Sequence, residues 1–200
     1  MKSVYFRPWV GANYEAGFRG QRVLVLGESH YQWDEQIEAY AGLTIDCVKK
    51  QLSGERSKFW TNIPIAFLGA YPSLAQKQEF WSSVAFYNYV QQFAGFGPRV
   101  SPSKESWENS EAAFWEVLEA LRPNCIVVLG YRLWDNLPSE GERGPDVSDA
   151  PKNGRWTWWY PIPKSESRAL AYAIRHPSAG FSGTAWHPHV MTALSLSREA

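Results

Sequence analysis

The sequence predicts an α/β fold. One domain over residues 1–200 forms a three-layer α/β/α sandwich around a central, mostly parallel, four-stranded sheet. Three observations carry this expectation. Short aliphatic runs end in glycine, as strands buried on both faces do. Segments of helical period lie between those runs, which is the alternation of a parallel sheet with crossover helices. The unusual polar residues fall just after the runs, where such sheets place their ligands.

The first strand is Arg22-Val23-Leu24-Val25-Leu26-Gly27. Residues 33–52 are polar with spaced apolar positions and predict a helix, whereas 57–70 is ambiguous. Tyr71-Pro72-Ser73 is a break, and 74–80 predicts a short helix. Ser83-Val84-Ala85-Phe86-Tyr87-Asn88-Tyr89-Val90 is the second strand, closed off by Gly95-Phe96-Gly97-Pro98. Residues 103–121 form the best helix. Ser103 can cap it, and Trp107, Phe114, Val117, Leu118 and Leu121 recur at helical spacing. Cys125-Ile126-Val127-Val128-Leu129-Gly130 repeats the aliphatic-then-glycine pattern. Residues 139–154 read as a surface loop and 156–160 as extended. A last strand over 170–175 runs into His176-Pro177-Ser178, and a helix over 184–198 closes the chain.

Composition bounds the function. The chain has 200 residues, with 20 Lys+Arg against 20 Asp+Glu. Zero net charge excludes a strongly basic nucleic-acid coat and an acidic disordered chain, but not a local basic groove. The 11 Trp are many for this length; most must be core, and some suit stacking on flat ligands. Two cysteines, Cys47 and Cys125, cannot make a disulfide framework. No apolar run approaches the ~20 residues of a membrane helix, and no signal peptide opens the chain. The expectation is a soluble, reduced, intracellular protein, cytoplasmic in a bacterium, with no membrane partner and an oligomeric state left open.

No phosphate-binding P-loop, GxGxxG or HExxH motif is present. His187 and His189 flank Pro188 and can share one face of an extended segment, but lack an obvious third ligand. The expectation is no metal and no cofactor. Gly27-Glu28-Ser29-His30-Tyr31 invites comparison with the G-x-S-x-G nucleophile elbow, except that Tyr31 stands where glycine is wanted.

A second comparison uses two segments together. Gly27-Glu28-Ser29-His30-Tyr31 follows the first strand, and His176-Pro177-Ser178-Ala179-Gly180-Phe181-Ser182 follows the last. In order and placement they resemble the two motifs of the uracil-DNA glycosylase superfamily. One of those is Gly-Gln-Asp-Pro-Tyr, or Gly-Glu-Ala-Pro-Gly in other branches; the other is His-Pro-Ser-Pro-Leu-Ser. Ala85-Phe86-Tyr87-Asn88 is similar to that family's strand ending in a base-reading asparagine. The resemblance spans most of residues 22–198.

It implies a monofunctional, metal-independent enzyme that hydrolyses the N-glycosidic bond of uracil or a related damaged base. The partner would be single- or double-stranded DNA with the nucleotide extruded. His176, neutral, would donate to the departing base; its bland alternative is a partly buried histidine at the sheet edge. Asn88 would read the base, or merely end a strand. Tyr31 would crowd the base's 5-position, or be one more core aromatic. Phe67 or Tyr71 would stack on the base. Ser178 and Ser182 would hold phosphates. Phe181 would be the wedge, if the alignment slips one residue from Gly180. Glu28 or His30 would orient water, because Ser29 replaces the Asp or Asn of several branches.

Lys49, Lys50, Arg56, Lys58, Arg132, Lys164 and Arg168 could line a phosphate-facing groove, or be ordinary surface charges. Trp156, Trp158, Trp159 and Tyr160 could stack on bases or pack a sheet. Two alternatives stay open: a catalytically silent nucleic-acid-binding relative, and a serine hydrolase using Ser29.

Overall fold

The computed structural model describes residues 1–34, 38–55, 57–97, 100–147, 156–178 and 180–199. In chain order the elements are β1 (Trp9–Val10), β2 (Val23–Gly27), β3 (His30–Gln32), α1 (Leu43–Leu52), α2 (Lys58–Leu68), α3 (Leu74–Ser83), β4 (Val84–Asn88) and β5 (Phe93–Phe96). There follow α4 (Lys104–Glu108), α5 (Glu111–Leu121), β6 (Cys125–Leu129), α6 (Tyr131–Trp134), β7 (Glu142–Arg143), β8 (Trp158–Pro161), β9 (Arg168–Ile174) and α7 (Gly183–Leu196).

The fold is α/β with a mixed sheet in the order β1-β4-β2-β6-β9-β8-β7. The four inner strands, β4, β2, β6 and β9, are mutually parallel. They match the four strands expected from the sequence: the two aliphatic runs closed by glycine, the run over 83–90 and the run over 170–175. The expected four-stranded sheet is nonetheless corrected to seven. β1 pairs antiparallel with β4 at one edge, and β8 and β7 extend the other edge antiparallel. Two of the added strands span only two residues, too short for any periodicity to show. A separate two-stranded parallel ribbon joins β3 to β5.

Strand alternation gives each face its own core. Val23, Val25, Phe86, Val127 and Ile174 meet α2, α3 and α7 on one side. Leu24, Leu26, Ile126, Val128 and Ala173 meet Phe114, Val117 and Leu118 of α5 on the other. Each such Val, Leu, Ile or Phe side chain contributes roughly 1.5–3 kcal/mol by burial.

Two helices differ from expectation. The helix expected over 33–52 begins only at Leu43, because β3 takes the preceding chain into the ribbon. The helix expected over 103–121 is two helices. Ser110 breaks it, its Oγ donating to Ser106 O at 2.6 Å and accepting from Gln91 N–H at 3.1 Å. The ambiguous 57–70 segment is α2. Its pattern was obscured by Pro64 inside the helix, although Ser57 caps the start and Gly69, at φ 78°, ends it. Among the described residues no helix is long and apolar enough to cross a membrane.

α2 and α7 cross closely. A Cβ at Gly183 would stand 2.6 Å from Ile65 Cγ2 and 3.1 Å from the Ala66 backbone nitrogen. Gly183→Ala should therefore lower the stability measured by urea unfolding by about 1–3 kcal/mol, despite alanine's higher helix propensity. An unchanged midpoint would mean that the crossing is looser than described.

Candidate functional site

Parallel pairing brings the carboxyl ends of four strands to one rim, with Gly27 opposite Asn88 and Leu129 opposite Ile174. Gly27, Asn88 and His176 share the parity of the face covered by α2. Gly27 is glycine for want of space. A Cβ there would lie 2.2 Å from Asn88 Oδ1 and 2.9 Å from the Phe86 ring. The Asn88 amide thus lies directly across the end of β2. Two further backbone bonds, Tyr89 N–H to Gly27 O and Val90 N–H to Glu28 O, hold the strand ends together there.

Gly130 serves the other half of the rim. Its φ of 124° favours glycine, and a Cβ would make ordinary 3.5 Å contact with His176. His176 Nδ1 accepts from Ser178 N–H at 3.3 Å and lies 2.8 Å from Ser178 Oγ. A nitrogen that accepts from a backbone N–H carries no proton, so neutral His176 bears its proton on Nε2. Burial lowers the imidazole's pKa; Glu28 raises it and Arg132 lowers it further.

α2 clamps this loop. Asn62 Nδ2 donates to Pro177 O at 2.7 Å, a buried bond. The Phe59 ring lies 5.2 Å from His176, tilted 31°, and edge-on to Phe86 at 6.4 Å. The contacts Gly130–His176–Phe59–Phe86–Gly27–Asn88 therefore run unbroken along the rim.

The fourth side is an ion pair. Arg132 Nε donates to Glu28 Oε2 at 2.8 Å and Nη2 to Oε1 at 2.5 Å. The third guanidinium nitrogen donates to Ser101 Oγ. Glu28 is only 8% exposed. Tyr31 stands beside this pair, half-buried. Burial raises its phenol pKa first and Glu28 second, with Arg132 and Ser29 opposing.

The structure sets Asn88, His176 and Ser178 along the rim beneath α2 and Glu28 and Tyr31 beside Arg132, and it reassigns several other residues. Phe67 is no base-stacking residue: it is fully buried, packed on Phe18 and Phe80. Phe181 is no wedge, because it lies in the core, stacked on Trp186 at 6.3 Å and 8°. Ser182 caps α7 by accepting from Ala185 N–H. His30 turns away from the rim, its Nε2 2.8 Å from Thr44 Oγ1 and its ring edge-on to Phe6 at 4.8 Å. Ser29 Oγ is buried, and no hydrogen bond joins it to a histidine among the described residues. That arrangement removes the nucleophile–base contact a serine hydrolase needs.

Tyr71, 78% exposed, lines a different cleft of about 410 Å³ with Pro64 and Leu74. His187 lies over Gly69 with Nδ1 3.2 Å from Ala66 O, and His189 meets Trp186 edge-on. Lys49 pairs with Asp46, Lys164 with Glu119 and Arg168 with Glu142, while Arg56 lies outside the described residues. Trp159 and Tyr160 are buried in β8, between β9 and β7, rather than offered to a ligand.

Sequence reading missed Phe59, Asn62 and the Glu28–Arg132 pair. Phe59 lies, like Phe67 and Tyr71, between the Gly27–Tyr31 segment and Asn88. Only its place in the first turn of α2, two residues after the capping Ser57, distinguishes it from Phe67.

Two outcomes follow. Phe67→Ala should cost about 3–5 kcal/mol in urea unfolding, as for a core phenylalanine. A cost under 1 kcal/mol would return it to a pocket. His30 is held at a pKa of about 4 by burial, below its ordinary 6.5. The unfolded chain takes up this proton as pH falls through 6.5, whereas the folded chain resists until about 4. Stability present above pH 6.5 should thus be lost progressively between 6.5 and 4, by up to roughly 3 kcal/mol. His30→Gln should flatten that part of the profile; an unaltered slope would place the loss elsewhere.

Compared with known proteins, the chain matches no family model and no curated protein.

Proposed function

We propose that this protein is a base-excising hydrolase of the uracil-DNA glycosylase kind, acting on uracil or a related damaged base in DNA. Helices on both faces of a parallel-centred sheet suit the three-layer architecture of that family. The observation that carries the reading is the Ser178 N–H bond to His176 Nδ1, which leaves Nε2–H as a fixed donor at the rim.

The chemistry follows from that donor. An extruded base lies against the half-buried ring of Phe59, with the Asn88 amide supplying both a donor and an acceptor to its edge. As the C1′–N bond breaks, its electron pair passes to the base and charge gathers on a ring carbonyl oxygen. The Nε2–H bond to that oxygen strengthens as the charge grows. Water adds to C1′, and its proton passes to solvent. Neither Glu28 oxygen is well placed to take that proton, since Arg132 holds both. Leaving-group stabilisation therefore carries most of the rate.

Lys58, next to Phe59, and Arg175, next to His176, are exposed and suit phosphate contact. With zero net charge over the whole chain, DNA affinity should rest on such local contacts and fall with salt.

The same ion pair favours a second reading, a relative that binds an unpaired base without cleaving it. Incubation with a uracil-containing oligonucleotide, then alkali, separates the two. Excision yields strand breaks, and His176→Ala lowers their rate 10²–10³-fold, equivalent to about 3–4 kcal/mol, while sparing binding. A gel shift with no breaks at any time selects the silent binder. Neither shift nor breaks would end both readings.

A further inference from the structure

We infer that the cleft between α4, the start of α5 and the segment after α6 binds an aliphatic diammonium or polyammonium ion. This cleft lies apart from the rim. Tyr89 and Trp107, which line it, belong to the core beneath α5, on the side of the sheet opposite α2. Binding there is independent of base excision.

The cleft measures about 540 Å³, enough for a small organic ligand and far more than a bare ion needs. Its apolar surface comes from Trp107, Leu137 and Pro138. Tyr160 Oη donates to Pro138 O at 2.8 Å, a buried bond that fixes that wall. The charged surface is mostly acidic. Glu108, Glu111 and Glu140 face a single ammonium, Lys104, in a chain whose total charge is zero. Three carboxylates against one ammonium leave two negative charges, which a diammonium ion matches.

The fold does not use these charges itself. Glu108 meets Lys104 at 3.6 Å, but both side chains are well exposed, and such a pair contributes little. Glu111 and Glu140 form no ion pair among the described residues. Trp115 Nε1 donates to Glu111 only at 3.4 Å.

Tyr89 distinguishes this cleft from an ordinary acidic surface. It is 2% exposed, its ring 5.8 Å from Trp107 and 5.7 Å from Phe114. Its hydroxyl nevertheless makes no hydrogen bond among the described residues. Buried phenols ordinarily find a partner. The partnerless hydroxyls of Tyr87 and Tyr172 are sealed in the core, whereas Tyr89 lines the cleft. Burial raises the Tyr89 pKa, and Glu111 and Glu140 raise it further, so both carboxylates act on a neutral phenol. Its oxygen is thus an unused acceptor in an anionic field.

The chemistry selects the ligand. An ammonium N–H donates to the phenol oxygen and to carboxylates, and its charge is favoured over the Trp107 and Tyr89 rings. Methylenes suit Leu137 and Pro138. A second ammonium meets a second carboxylate. A metal ion fits poorly: among the described residues no three His, Cys, Asp or Glu are grouped to hold one.

Isothermal titration of the full chain at low salt with 1,4-diaminobutane and spermidine tests this. Both should bind saturably, one per chain, with butylamine about tenfold weaker for want of the second charge. Glu140→Gln should weaken binding about tenfold. Tyr89→Phe, which keeps the ring and removes the acceptor, should weaken it about fivefold. Glu79→Gln, an exposed acid of α3 across the sheet, should bind as the parent does. Far-UV circular dichroism checks that each variant folds; should Tyr89→Phe fail, the exposed Glu140→Gln decides. Absence of saturable binding overturns the assignment, as does butylamine or Mg²⁺ bound as tightly as the diamine. Equal weakening by Glu79→Gln and Glu140→Gln, or a folded Glu140→Gln that binds like the parent, also overturns it.

Discussion

Parallel strands can leave their polar ends only at one edge of a sheet, and that constraint organises this protein. β4, β2, β6 and β9 all point their carboxyl ends the same way. The residues that follow them, distant in sequence, become neighbours without any loop having to reach. Alternation then selects the side: Gly27, Asn88 and His176 fall on the face that α2 covers. The buried apolar interiors of the strands stabilise the fold and in doing so fix a polar rim.

Within that rim, space and hydrogen bonding divide the work. Gly27 yields its side-chain volume to Asn88. Gly130 supplies a backbone conformation that brings the chain under His176. Asn62 and Phe59 make α2 part of the site by holding Pro177 and covering the imidazole. The one strongly charged feature, Glu28 with Arg132, ties the end of β2 to the start of α6 and is largely neutralised internally.

The sequence made the four inner strands legible because each is a short, almost wholly apolar run, aliphatic in β2 and β6 and carrying aromatics in β4 and β9, the pattern of burial on both faces. It also marked the two chain segments that converge, since polar residues directly after such runs have nowhere else to go. What stayed hidden depended on tertiary contact. Two-residue edge strands have no period. α2 was masked by Pro64, so Phe59 could not be told from Phe67 by spacing. Phe181 read as a wedge in the linear motif, but α7 offers Trp186 beneath it and burial outweighs exposure. Arg132 read as one surface cation among several. Its partner lies 104 residues away, and only strand register reveals the pairing.

His30 and Ser29 carry a related lesson. Both sit in a segment rich in potential chemistry, yet β3 directs the imidazole toward Phe6 and Thr44. Reactive residue types adjacent in sequence diverged, while Glu28 and Arg132, 104 positions apart, converged. The account reduces to a neutral histidine donor and an asparagine amide presented to one flat ring. A crystal structure of the protein with uracil-containing single-stranded DNA, trapped in a slow variant, tests it most directly. The account predicts the base against Phe59, its edge on the Asn88 amide and a carbonyl oxygen about 3 Å from His176 Nε2. A base seated elsewhere, such as the cleft beside Tyr71, would contradict it.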